Sequence, residues 1–89
     1  MSKQCIVNFY AQVGMTQVVN ITDENLTPEQ LVEGLKKGEL MTTLEHKFGQ
    51  PVPTIVRFDE QGSAVPVAEI LHQQVSDDSA SYIDFELSE

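Results

Sequence analysis

The 89-residue chain of 9.9 kDa has room for one hydrophobic core, so residues 1–89 read as a single domain. Its composition, 40% hydrophobic and 21% charged, is that of a folded domain, and a lone Cys excludes an internal disulfide framework. A net charge of −9 opposes direct binding to nucleic acid phosphate or to anionic lipid.

The first segment, Cys5–Ile6–Val7–Asn8–Phe9–Tyr10, is β-branched and aromatic with apolar residues on both parities, which predicts a strand covered on both faces. Thr16–Gln17–Val18–Val19–Asn20–Ile21 is a second strand. The Val13–Gly14–Met15 loop joins the two as a hairpin, with Gly14 expected to supply a positive φ.

The helix signal comes next. Thr27 is an N-cap, Pro28 a first helical residue, and Gln30 a capping-box partner. Leu26 and Leu31 flank the cap as a hydrophobic staple. Glu29 suits the positive end of the helix dipole, Lys36 and Lys37 suit the negative end, and Gly38 is a stop. A helix over 28–37 follows, with Leu31, Val32 and Leu35 facing inward. Gly34 weakens it by about 1 kcal/mol relative to Ala, and close packing against the sheet is one reason for a glycine there.

Residues 39–48 are ambiguous. Leu40, Leu44 and Phe48 recur at helical spacing, whereas Thr42 and Thr43 favour a strand over 40–46, the reading preferred here. Thr54–Ile55–Val56–Arg57–Phe58 is a strand, and Asp59–Glu60–Gln61–Gly62 is a turn. Residues 66–75 are the second ambiguity. Val67, Ile70, Leu71 and Val75 make a helical stripe, but a tight turn delivers the chain already extended. A long bent strand with a bulge near Glu69–Ile70 is therefore preferred. Asp77–Asp78–Ser79–Ala80–Ser81 is a polar loop. In Tyr82–Ile83–Asp84–Phe85–Glu86–Leu87, Ile83, Phe85 and Leu87 face in, and Tyr82, Asp84 and Glu86 face out.

The expected architecture is α+β, a mostly antiparallel sheet with one helix on one face, in the order ββαβββ. The alternative carries a second helix at about 39–48 or 66–75. The expected core is Ile6, Val7, Phe9, Val19, Ile21, Leu31, Leu35, Leu44, Val56, Phe58, Leu71, Ile83 and Phe85.

Little in the chain points to catalysis. Cys5 opens an apolar strand, which suits a buried small hydrophobe better than a nucleophile. His46 and His72 match no zinc spacing, and the 77–81 loop lacks the glycine and closing glutamate of a calcium loop. No phosphate loop or nucleophile elbow occurs, so no catalytic, cofactor or metal residues are assigned and an enzyme is the least favoured reading. With no apolar span and no signal peptide following Met1–Ser2–Lys3, the expected location is the cytoplasm, away from membranes.

Charge distribution is more informative. Residues 1–58 hold all five bases and six acids; residues 59–89 hold eight acids and no Lys or Arg. The sequence therefore favours a small acidic binding or modulator protein that engages a basic protein partner, or a nucleic-acid-binding enzyme, through Asp77, Asp78, Asp84 and Glu86. The alternative is a self-associating structural module, a homodimer through the first hairpin. Val13, Met15 and Val18 lie there in a stretch with no charge from Gln4 to Thr22.

Overall fold

A computed structural model describes residues 3–77 and 79–88. Seven elements follow one another: β1 (Lys3–Tyr10), β2 (Gly14–Ile21), α1 (Pro28–Lys37), β3 (Leu40–Lys47), β4 (Gln50–Phe58), β5 (Ala64–Ser76) and β6 (Asp84–Ser88). The order is ββαββββ; the expected ββαβββ is one short of the four strands that the segments 40–46, 54–58, 66–75 and 82–87 themselves make after the helix. All six strands form one antiparallel sheet in the spatial order β3-β4-β5-β2-β1-β6. No helix among the described residues is long and apolar enough to cross a membrane.

The helix forms as its sequence dictates. Gln30 N donates to Thr27 Oγ1 at 3.2 Å and Thr27 N donates to Gln30 Oε1 at 2.9 Å, a complete capping box. Gly38 ends the helix in the left-handed region at φ 78°, and Lys37 lies 3.7 Å from Glu33 one turn back. The inward face is Leu31, Val32, Gly34 and Leu35. A Cβ on Gly34 would lie 2.7 Å from Leu40 Cγ, so the glycine does permit close approach, here to the first residue of β3.

Both ambiguous segments are strands, so neither alternative helix exists. In 39–48, Leu40 is buried, but Leu44 and Phe48 are exposed, and no apolar stripe is left for a helix to bury. Instead Lys47 pairs with Gln50 across a two-residue turn, Phe48–Gly49, with φ of 53° and 77°. Positive φ at both central residues is the type I′ geometry that matches strand twist. In 66–75, β5 carries two extra residues, Val67 against β4 and Leu71 against β2. Each bulge stretches a period of two into a period of three locally, and apolar residues at 67, 70 and 71 then imitate helical spacing.

The bulges also curl the sheet. Both of its edge strands, β3 and β6, contact α1, and Lys36 Nζ reaches Asp84 Oδ1 on β6 at 3.8 Å. The core lies in this concavity: Val7, Val19, Ile21, Leu31, Val32, Leu35, Leu40, Ile55, Val67, Ala68 and Ile70, with Cys5, Leu26, Phe85 and Leu87 packed against it.

Several expected core residues lie elsewhere. Ile6, Leu44, Phe58, Leu71 and Ile83 are exposed. Ile6 points to the outer face of β1, opposite Val7, and Leu71 is the extra residue of a bulge. Ile83 precedes β6, which starts at Asp84 rather than Tyr82. Phe9 and Phe85 are half-buried and pack ring against ring, with centroids 5.0 Å apart and planes tilted by 46°. Val56 is buried outside the core cluster, while its neighbour Ile55 belongs to it. Gly14 is a correction of another kind. The described residues with positive φ do not include it; it opens β2, buried opposite Ser76.

Candidate functional site: an acidic and aromatic cleft beside an edge strand

The acids singled out in the sequence do not all meet. Asp84 and Glu86 share the outward parity of β6, opposite Tyr10 and Asn8 of β1. Asp77 follows β5, from which β6 is separated by β2 and β1, a lateral distance of about 14 Å at ordinary strand spacing. Asp78 lies outside the described residues. The acidic side is not free of cations either, because Lys36 approaches Asp84.

What Asp84 and Glu86 do form is a cleft of about 340 Å³ lined by Tyr10, Ser79, Ala80, Tyr82, Asp84 and Glu86. Each wall has a local cause. Tyr10 ends β1, where the cross-strand register sets it against Asp84. Ala80 N donates to Ala11 O at 2.7 Å, which pins the 79–83 loop to the β1–β2 turn. Asp84 Oδ1 accepts from the backbone N–H of Phe85 at 2.9 Å, so its carboxylate is held at the start of the strand. Tyr82 is exposed on the loop. Two carboxylates and two phenol rings thus border one small cavity beside β6, the last strand of the sheet among the described residues. Carboxylates attract a cation, and aromatic faces add cation–π attraction.

Tyr82, Asp84 and Glu86 share one parity, which the sequence shows. The partnership of Tyr10 with Asp84 is not visible there, because it depends on β6 returning beside β1, and no local pattern encodes that pairing.

A second groove, of about 530 Å³, lies on the other side of the same loop, among Phe9, Val13, Met15, Tyr82 and Ile83. Of the hairpin residues expected to self-associate, Val13 and Met15 line it. Val18 does not: it faces the opposite side of β2, between Ile6 and His72. A third cleft, of about 680 Å³, lies between the amino-terminal half of α1 and the start of β3. Arg57 sits there among Asp23, Glu33 and Glu39, so this cleft already contains a cation.

The remaining titratable groups do not assemble into a reactive centre. Cys5 is half-buried on the helix side of β1, and burial, reinforced by the Glu29 carboxylate, pushes its thiol pKa up. That is the reverse of the activation a nucleophile needs. His72 and His46 lie exposed on β5 and β3. Among the described residues no three His, Cys, Asp or Glu side chains could hold a metal ion.

Compared with known protein families, with curated proteins and with solved structures, the chain matches none.

Proposed function

We propose that this chain is a non-catalytic binding protein that receives a cationic side chain of a basic protein partner in the cleft of Tyr10, Tyr82, Asp84 and Glu86. The observation that carries this reading is the conjunction itself: two carboxylates and two phenol rings around about 340 Å³, next to β6, the last strand of the sheet among the described residues. Charge elsewhere supports it. Lys36, Lys37 and Lys47 each lie against a carboxylate, and Lys3 donates to the carbonyl of Leu26 at 3.0 Å. The surplus of acids over bases is therefore left to face other molecules. A nucleic acid would be repelled by the same field; a basic protein would be drawn in.

Calorimetric titration with an arginine-rich peptide at low and high salt tests the proposal. Binding should weaken with salt. Glu86→Gln should weaken it about tenfold at low salt, the size of one charge-assisted hydrogen bond, whereas Glu60→Gln on the distant 59–63 turn should not. Equal losses for both variants would reduce the effect to net charge and remove the cleft from the argument.

A further inference from the structure

Asp84 and Glu86 carry the same charge on the same parity of β6, yet the fold treats them differently. Asp84 Oδ1 accepts from the backbone N–H of Phe85 at 2.9 Å, and Lys36 Nζ approaches the same oxygen at 3.8 Å. At that distance Lys36 offsets the charge without forming a hydrogen bond. Among the described residues no ion pair and no side-chain hydrogen bond reaches Glu86. One carboxylate of the cleft is therefore already matched by a cation of the chain, and the other is not.

The position of Lys36 is built into the fold. It stands in the last turn of α1, where the helix dipole favours a cation, and Gly38 ends the helix two residues later. The helix contacts both β3 and β6, and Gly34 brings it close against Leu40. The ammonium therefore reaches Asp84 from a fixed base. Lys36 is not among the residues lining the cleft, so it holds Asp84 from outside and leaves the cavity itself open.

Resting on the basic-partner reading above, we propose that Lys36 makes the cleft select a guanidinium over an ammonium, so that the partner's side chain is Arg rather than Lys. A lysine of the partner would bring only the chemistry that Lys36 already supplies. An ammonium is a compact, strongly hydrated point charge, and it needs both carboxylates to offset the water it loses. At Asp84 it meets a like charge that it must displace. An arginine has another way in. Its planar fork can take both oxygens of Glu86 while its face lies on a phenol ring, and Tyr82 stands exposed at the cleft for that contact. That pose leaves the pair of Lys36 and Asp84 in place.

The test is calorimetric titration of the intact chain with the arginine-rich peptide and with the same peptide carrying Lys in place of every Arg. The wild type should bind the arginine peptide about tenfold more tightly. Lys36→Gln should strengthen binding of the lysine peptide about threefold and that of the arginine peptide much less, so the preference narrows. Lys37→Gln changes the net charge equally, but Lys37 pairs with Glu33 on α1 itself, and it should leave the preference as in the wild type. Equal affinities of the wild type for the two peptides overturn the proposal. So does a preference that Lys36→Gln leaves unchanged, or that Lys37→Gln narrows as much. In each of these cases a loss of binding through Glu86→Gln still upholds the basic-partner reading. If neither peptide binds, or if Glu86→Gln costs nothing, that reading falls and this inference falls with it.

Discussion

Gly34 faces two opposing demands. In an exposed helix interior, replacing Gly by Ala gains about 1 kcal/mol. Here the added Cβ would stand 2.7 Å from both Cγ and Cδ1 of Leu40. Leu40 is buried, and its Cγ is no flexible extremity, so the backbone of β3 or α1 would have to shift. Overpacking of this kind typically costs about 1–3 kcal/mol and outweighs the propensity gain. Gly34→Ala should therefore lower the urea midpoint, through a net loss of about 1 kcal/mol in unfolding free energy. A raised midpoint would mean that Leu40 escapes sideways and that propensity decides the sign.

Elements differ in how openly the sequence declares them. The helix is legible to the residue because its determinants are local: Thr27, Pro28, Gln30 and Gly38 each act within one turn. β5 is not, because its parity is interrupted at Val67 and Leu71, and only the partner strands show which residue is extra. The β-branched run marks β4 only from Thr54, yet the strand begins at Gln50: the two prolines that bar pairing with β5 do not bar pairing with β3. Half of the candidate cleft was legible for the same reason as the helix. Tyr82, Asp84 and Glu86 belong together by alternation, while Tyr10 joins them through a pairing some seventy residues distant in the chain. β6 offers the element-scale test. Phe85 packs on Phe9 and against the core but is only half-buried, so Phe85→Ala should cost about 2–3 kcal/mol rather than the 3–5 of a fully enclosed ring. Chemical denaturation reads it. A loss under about 1 kcal/mol would show that β6 adds little to the fold.

At the scale of the molecule, the curl of the sheet decides what can meet what. Strands β3 and β6 are the two margins of the sheet, and both touch one ten-residue helix. The curl rests on the two surplus residues of β5. Leu71 is exposed and could be removed without changing the faces: Ile70 would stay opposite Val19 and His72 opposite Val18. A chain lacking Leu71 should thus keep its strands, with far-UV circular dichroism unchanged, but hold α1 less tightly. Amide exchange in 28–37 should quicken while that of β1 and β2 stays slow. Unchanged exchange in the helix would show that the curl comes from elsewhere.

For the lineage of such a chain this has a historical meaning. A one-residue deletion inside a sheet is ordinarily lethal to the ladder, because every later side chain changes sides. At Leu71 the reverse holds: the shorter strand is the regular one, and the longer strand is the one that bends around a helix. Length variation at this position would then alter the grip on the helix by degrees, without passing through a misfolded ancestor.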